Sequence, residues 1–188
     1  MGHYGIDGRL AGGPVTKDER YPIGKFTPVQ ALAPADRHER IEGIAATPPL
    51  FRRAVAGLTD AQLDTPYRAG GWTVRQVAHH LPDSHMNAYM RFKWGLTEDT
   101  PAIKAYEEKD WAQTPETRAP IAFSLDLLTS LHERWIALLR GMRPSDFART
   151  IKHPEMGQIS LDTLLALYAW HGRHHTAHVT SLRERMGW

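Results

Sequence analysis

The sequence predicts an all-α domain built as a four-helix bundle. Three observations lead to this fold class. Apolar residues recur at three- and four-residue steps in four separate segments, residues typical of helix starts precede several of them, and no long stretch alternates apolar with polar residues. The chain has 188 residues, which fits one domain and is long enough to bury a continuous apolar core.

The N-terminal part divides into an arm and the first helix. Residues 1–36 are rich in Gly and Pro and lack a regular period, so we expect an extended arm there and the bundle domain over 37–188. A helical pattern runs from Ala35 to Leu58, but Pro48-Pro49 interrupts it, and we expect the helix to be kinked or split at that point. Residues 59–64 should form a turn or a short helix.

The second helix is predicted to start at Trp72-Thr73 and to run to about Leu96. Thr73 followed three residues later by Gln76 is a capping-box pattern, in which each side chain satisfies a free backbone amide. Pro82 should bend this helix, because proline removes one backbone hydrogen bond and crowds the preceding turn.

The remaining segments complete the bundle. Residues 97–120 lack clear periodicity and are long for a hairpin between neighbouring helices, which favours a long crossover between helices two and three. Ser124 is expected to cap the third helix. Residues 150–160 are typical of a small hairpin or loop, and Ser160 should cap a fourth helix that ends near Arg185.

Composition excludes several classes of function. Lys and Arg total 23 against 21 for Asp and Glu, and no basic stripe suited to nucleic acid is present. The chain has no cysteine, so disulfides, thiolate metal sites and a cysteine nucleophile are excluded. No apolar run is long enough for a membrane helix and no signal-peptide core is present, so we expect a cytoplasmic protein.

Histidines occupy core positions of the predicted helices. On helix four, His171 and His175 continue the apolar stripe, and their i, i+4 spacing places both rings on one face, within reach of one ion. On helix two, His80 lies three residues after Val77 and faces inward, whereas the adjacent His79 points about 100° away. We therefore predict that His80, His171 and His175 bind one divalent metal ion per chain, Zn or Ni first among Zn, Ni, Co and Fe(II).

An alternative reading of these histidines stays open at this point. A single inward histidine is more often a hydrogen-bonded core residue than a ligand. Sequence motifs of other enzymes do not match: Gly172 stands where a zincin helix has its general-base Glu, and phosphate-binding loops, dinucleotide-binding glycines and a nucleophile elbow are missing.

These residues lie within a pattern that resembles the DinB-like metalloproteins, and within them the YfiT-type metal-dependent hydrolases related to bacillithiol transferases. The resemblance covers almost the whole chain after the first residues of the arm. It rests on Tyr21-Pro22-Ile23-Gly24, Leu63 to Arg68 with Gly70 to Gln76, His79-His80-Leu81 to Lys93, Thr100 to Ile103, and Trp170-His171 to Trp188.

The resemblance implies a four-helix bundle in which helices two and four lie side by side and supply three ligands. By position, His80 matches the first ligand of the family, and His171 and His175 match the other two. A homodimer is also implied. We further expect a small-molecule substrate, with a low-molecular-weight thiol as one candidate, and the charge and hydropathy of the chain predict neither a nucleic acid nor a membrane as partner.

Three functions remain at the level of the sequence. The first is a hydrolase that uses metal-activated water, since three imidazoles leave a ligand position open. The second is a metal-dependent S-transferase of bacillithiol or another low-molecular-weight thiol, and the third is a non-catalytic metal-binding dimer. Candidate residues for an anionic thiol cofactor are Arg75, Asn87, Arg91 and Arg173, and candidates for proton transfer or support of a ligand are Asp83, Glu107 and His178.

Overall fold

The computed structural model describes residues 18–188, and four long helices account for just over half of these residues. The helices are α1 (Pro34–Val55), α2 (Asp60–Leu63), α3 (Val74–Thr97), α4 (Glu108–Trp111), α5 (Ala122–Gly141) and α6 (Leu161–Met186), with 3-10 turns at Pro115–Arg118 and Pro144–Ala148. Strands β1 (Thr150–His153) and β2 (Gly157–Ser160) form the predicted hairpin and pair antiparallel, Thr150 opposite Ser160.

The long helices form a four-helix bundle with the predicted crossover. Helix α1 packs against α5 and α6, and α3 packs against the same two helices. His79 contacts Ser124 and His85 contacts His132, so α3 and α5 run in the same direction. Two parallel neighbours cannot be joined by a tight turn, which is why residues 98–121 must return along the length of the bundle. The fold class is therefore confirmed.

The core of the bundle is divided into two apolar clusters with a polar layer between them. One cluster surrounds Trp135 and Phe92, and the other surrounds Phe51 and Leu128. Between the two clusters, each long helix contributes a buried or half-buried polar residue to the middle of the bundle. These residues are Thr47 on α1, His80 and His85 on α3, His132 on α5, and His171 and His175 on α6. His174 and His178 lie beside this layer, on the side of α6 that contacts the arm.

Helix α1 corrects one prediction. It continues through Pro48-Pro49 without interruption, so the split that the prolines predicted is wrong. A proline at position 48 removes the amide that would bond to the carbonyl of Ile44 four residues earlier. That carbonyl instead accepts a hydrogen bond from the ring of His132 at 2.9 Å, which replaces the missing bond. Helix α3 is likewise continuous across Pro82.

The helix caps agree with the sequence at two of three positions. Thr73 and Gln76 form the predicted capping box, and Ser160 accepts a hydrogen bond from the amide of Thr163 at the start of α6. Ser124 does not cap α5, which begins two residues earlier at Ala122. The hydroxyl of Ser124 lies 2.7 Å from a ring nitrogen of His79, so it joins two helices rather than ending one.

The part of the arm that the structure describes lies along α6. Its backbone bonds to side chains of that helix, including Asp162, which accepts the amide of Leu32 at 3.0 Å, and Trp170, whose indole donates to the carbonyl of Gly24 at 3.2 Å. Residues 1–17 of the predicted arm lie outside the described residues, and the division at 36/37 stays a prediction. Within residues 18–188, no helix is both long and apolar enough to span a bilayer.

Candidate metal centre

Three imidazoles converge in the polar layer between α3 and α6. One ring nitrogen from each of His80, His171 and His175 lies within 4.8 Å of the others. The Nε2 atoms of His80 and His171 are 3.3 Å apart. The i, i+4 spacing on α6 places His171 and His175 one turn apart on the same face, and the antiparallel packing of α3 brings His80 opposite them. Among residues 18–188, this is the only such group of histidine and carboxylate side chains.

Burial keeps these imidazoles neutral. Desolvation lowers the pKa of His80 to about 3, and it lowers the pKa values of His171 and His175 well below the ordinary value. The indole of Trp72 covers His80 at a centroid distance of 4.6 Å, which keeps water from that ring. A neutral imidazole has a free lone pair, the form in which histidine binds a metal.

The geometry and chemistry of the three nitrogens fit a divalent cation. A tetrahedral zinc site with Zn–N bonds of about 2.0 to 2.1 Å has nitrogen atoms about 3.3 Å apart. The separation between the Nε2 atoms of His80 and His171 agrees with that value. The trio consists only of nitrogen donors, which suits Zn, Ni or Co rather than Mg or Ca.

Two further histidines at this level were missed by the sequence reasoning. The Nε2 atom of His85 lies 3.0 Å from the Nδ1 atom of His171, and the Nδ1 atom of His85 lies 2.7 Å from the Nε2 atom of His132. His85 lies four residues after the core residue Leu81, and His132 lies four residues after the core residue Leu128. Another core residue lies three residues after each of these histidines. This inward spacing was the signal that could have found them.

The histidines adjacent to the trio have other contacts. His79 bonds to Ser124 and, through Nε2, to the carbonyl of Ala119 at 3.1 Å, so it joins α3 to the start of α5. His174 stacks on Trp170 at a centroid distance of 4.2 Å, and its buried Nδ1 has no hydrogen-bond partner within the described chain. Neither ring belongs to the converging group.

Two cavities open on the trio from either side. One has a volume of about 440 Å³ and includes Arg91, Tyr106 and Tyr168 in its lining. The other has a volume of about 570 Å³ and includes aromatic and basic residues of the segment around Trp72. Both cavities contain His171 and Glu108, so the crossover helix α4 lies over the place where they meet the trio. Small molecules can therefore approach His171 from two directions.

The groups proposed for proton transfer or ligand support fall in different places. Asp83 is half-buried outside the converging group, and burial followed by the charge of Glu116 raises its pKa to about 6. Glu107 is exposed at the wall of the 440 Å³ cavity. His178 lies against His175, with their Nδ1 atoms 3.4 Å apart.

The four arginine and asparagine side chains that were candidates for binding an anionic cofactor also lie in different places. Arg75 forms ion pairs with Asp60 and Asp64, and the amide of Asn87 donates to a backbone carbonyl of its own helix. Arg173 lies on the side of α6 that faces α1, away from both cavities of the trio. Arg91 alone among the four lines a cavity that contains His171.

Gly172 has a packing role. A Cβ atom at this position would lie within contact distance of the side chain of Thr47, 2.7 Å from its Cγ2 atom. Helices α1 and α6 therefore approach closely beside the trio, and no side chain fits at position 172 without displacement. The Glu of a zincin helix is excluded here by space as well as by sequence.

The fold and the site define a class of proteins: four-helix bundles with a crossover and a histidine trio on two facing helices. The profile of the DinB superfamily matches residues 44–179, and the chain belongs to that family. A protein of Bacillus mycoides is 52% identical over 172 residues, covering 92% of this chain and 99% of that protein. A protein of Bacillus cereus strain B4264 is 50% identical over 171 residues, covering 91% and 99%. The names of both propose a metal-dependent hydrolase.

Solved structures agree with this placement. YfiT from Bacillus subtilis, described as "a probable metal-dependent hydrolase with an unusual four-helix bundle topology", superimposes with a TM-score of 0.88 at 48% identity, covering 90% of this chain and 98% of that one. TT2238, a four-helix bundle protein, superimposes with a TM-score of 0.52 at 18% identity, covering 81% and 99%, and supports the fold alone.

Proposed function

We propose that this protein is a divalent-metal-dependent hydrolase of a small molecule, with His80, His171 and His175 as the metal ligands. The observation that carries the proposal is the convergence of three neutral imidazoles where two cavities meet, without a carboxylate in the converging group over residues 18–188. A divalent ion in such a trio, Zn or Ni first, would polarise a substrate carbonyl and lower the pKa of a bound water towards about 7. The names of the relatives support the same activity.

Glu108 is our candidate for proton transfer in this reaction. It lines both cavities, beside His171, on a side chain that is exposed at their junction. Partial burial of the carboxylate, followed by the charge of Glu155, raises the pKa of Glu108 and so brings it closer to neutral pH. A carboxylate with a raised pKa can exchange a proton with substrate more readily than an ordinary surface glutamate. We expect Glu108→Gln to lower kcat while metal content stays unchanged.

A second candidate function is the transfer of a low-molecular-weight thiol, and the observation that favours it is the position of Arg91. Arg91 is only 5% exposed and lines the cavity that contains His171, where its charge also acts on Glu108 and partly offsets the rise that burial causes in the pKa of that carboxyl group. It donates to the hydroxyl of Tyr168 and to the carbonyl of Lys104, both uncharged acceptors. A buried cation of this kind could bind an anionic group of a thiol cofactor.

Metal analysis of the purified protein tests the ligand assignment. We expect about one divalent ion per chain, retained through dialysis against a weak chelator. His171→Ala should lose the ion, whereas His79→Ala and His174→Ala, which alter neighbours of the trio, should retain it. Loss of metal from His79→Ala together with retention by His80→Ala would contradict the assignment on α3.

Paired assays distinguish the functions. The metal-loaded protein is tested on activated esters and amides without thiol, and on a monohalogenated electrophile with and without bacillithiol. Turnover in water alone supports the hydrolase, and turnover only with thiol supports the transferase. Stoichiometric metal without turnover in either assay would favour a non-catalytic metal-binding protein.

A homodimer is also part of the proposal. Large apolar side chains are exposed on neighbouring faces of α3 and α5, where a second copy could cover them: Met86, Met90, Trp94, Phe123 and Leu127. Light scattering coupled to size exclusion should give twice the chain mass, and Phe123→Glu with Leu127→Glu should give the monomer.

A further inference from the structure

A line of hydrogen bonds runs from the proposed ligand His171 across the bundle to α1. The Nδ1 atom of His171 lies 3.0 Å from the Nε2 atom of His85, whose Nδ1 atom lies 2.7 Å from the Nε2 atom of His132. The Nδ1 atom of His132 lies 2.9 Å from the carbonyl oxygen of Ile44. Each ring in this line uses one nitrogen towards each neighbour, so the line has a direction.

The carbonyl at its end fixes that direction. A carbonyl oxygen only accepts, so the hydrogen of His132 must be on Nδ1. A neutral imidazole carries one N–H, and both rings are almost completely excluded from water, at 0% exposure for His85 and 2% for His132, which favours the neutral form of each. The Nε2 atom of His132 must then accept from Nδ1 of His85, and Nε2 of His85 must accept from Nδ1 of His171. His171 is left with its hydrogen on Nδ1 and a free lone pair on Nε2, the atom that faces His80.

Pro48 makes the terminal carbonyl available. In an uninterrupted helix the amide of residue 48 would bond to the carbonyl of Ile44, but proline has no amide hydrogen. The oxygen is therefore free to accept His132 along its inward side. Pro49 likewise removes the backbone hydrogen bond to the carbonyl of Ala45, and this carbonyl accepts no side-chain hydrogen bond within the described chain. Substitution of Pro49 is therefore a matched control for substitution of Pro48.

A second, shorter line ends on the other ligand of α6. The Nε2 atom of His178 lies 3.2 Å from the carbonyl oxygen of Arg20 in the arm, and its Nδ1 atom lies 3.4 Å from Nδ1 of His175. By the same reasoning, His178 donates through Nε2 and accepts through Nδ1, so His175 holds its hydrogen on Nδ1 and presents the lone pair of Nε2. Tyr67 stacks on His178 at a centroid distance of 3.9 Å and fixes the plane of that ring.

We propose that His85, His132 and His178 are positioning residues that hold both metal ligands of α6 in the Nδ1–H form, so that each binds through Nε2. The inference rests on the metal site of the proposed function and extends it to three residues outside the trio. Partners of this kind on ligand histidines are usually carboxylates, backbone carbonyls or water. Here two neutral imidazole lines end on carbonyls of different segments, α1 and the arm.

The test measures imidazole tautomers in the metal-free protein. Long-range ¹H–¹⁵N correlation spectra of histidine-labelled protein distinguish the Nδ1–H form from the Nε2–H form of each ring. We expect Nδ1–H for His171 and His175 in the native protein. His132→Phe should turn His171 into a mixture and leave His175 unchanged, and His178→Phe should do the reverse. The 440 Å³ cleft beside His132 on the α1–α5 surface gives the phenylalanine room.

Zn²⁺ titration against a chelating dye supplies the second measurement. Each variant should bind Zn²⁺ roughly tenfold more weakly than the native protein, the lower end of the effect that such partners have. His132→Gln, whose amide oxygen can accept from His85, should recover part of the affinity. If His132→Phe does not fold, Pro48→Ala is the milder test. Its new backbone amide competes with His132 for the carbonyl of Ile44 and should shift His171 towards a mixture of tautomers. The control Pro49→Ala should have no effect on the tautomer of His171.

The outcomes separate this inference from the proposed function. Nε2–H on His171 in the native protein, or equal effects of His132→Phe and His178→Phe on both ligands, would overturn the two-line arrangement. Failure of the native protein to bind Zn²⁺ would overturn the metal site itself, and the tautomer spectra do not depend on that result.

Discussion

The histidine layer should make the metal-free protein sensitive to mild acid. Desolvation lowers the pKa of seven histidines in or beside the layer, to about 3 for His80 and to about 4 for His132, His174 and His178. In the unfolded chain each would titrate near 6.5. The folded protein therefore binds fewer protons than the unfolded chain below that pH. These residues are His80, His85, His132, His171, His174, His175 and His178.

Proton linkage gives the sign and the size of this effect of pH on the free energy of unfolding. A histidine whose folded pKa is depressed contributes no penalty above pH 6.5 and destabilises the fold as the pH falls below it. At pH 5.5 each such ring lowers the free energy of unfolding by about 1.4 kcal/mol relative to alkaline pH. If only half of the seven histidines behave in this way, the free energy of unfolding falls by about 5 kcal/mol, which is comparable to the whole stability of many domains. We therefore expect cooperative unfolding of the metal-free protein between about pH 6.5 and pH 5.

Urea titrations followed by far-UV circular dichroism measure this loss. The urea midpoint of the metal-free protein should fall steeply from pH 7.5 to pH 5.5. His132→Phe should make the fall less steep by about one proton, and His38→Gln, which alters an exposed histidine of α1, should leave it unchanged. Metal-loaded protein should resist acid to a lower pH, because bound metal competes with protons for the trio. Equal urea midpoints at the two pH values in the metal-free protein would refute the reasoning.

Two other predictions concern packing beside the site and at the arm. Gly172→Ala should lower the free energy of unfolding by about 1 to 2 kcal/mol, because the new methyl group meets Thr47 and the overpacking outweighs the gain in helix propensity. Adding Thr47→Ala should reverse part of this loss. If urea titrations show that the effects of the two substitutions simply add in the double variant, the contact between these residues is contradicted. Asp162→Ala should lower the free energy of unfolding by about 3 kcal/mol, because this buried carboxylate accepts two hydrogen bonds from Arg37 and one from the amide of Leu32. Thermal unfolding measures this loss. A change below about 1 kcal/mol would show that water replaces these bonds.

Local sequence rules predicted the elements of the fold better than the contacts between them. The capping box at Thr73 and the cap at Ser160 are properties of neighbouring residues, and both are confirmed. Ser124 follows the same local pattern, yet its hydroxyl bonds to His79 on another helix. A hydroxyl near a helix start has two possible partners, and only the packing of α3 against α5 decides between them.

The candidate site divides in the same way. The positions of His80, His171 and His175 follow from helical periodicity, which predicted that all three face inward, and the structure brings them together. His85 and His132 have the same inward spacing, but neither has a second histidine three or four residues away on its helix, so the spacing indicates burial and does not indicate which group each ring contacts. Their meaning depends on a contact between α3 and α5 across 47 residues of chain.

Two residues that are poorly suited to a helix interior, Pro48 and Gly172, lie at the level of the histidine layer, and each has a reason there. Pro48 removes an amide from α1 and thereby leaves the carbonyl of Ile44 to the ring of His132. Gly172 lacks a side chain where α6 meets Thr47, so α1 can approach the helix that carries both His171 and His175. Each choice weakens its own helix by roughly 1 to 3 kcal/mol relative to alanine. Sequences usually break a local rule of this kind where function sets a competing demand. The coincidence of both exceptions with the histidines therefore favours a role for this layer in binding rather than in stability, since an apolar layer between the two core clusters would need neither residue.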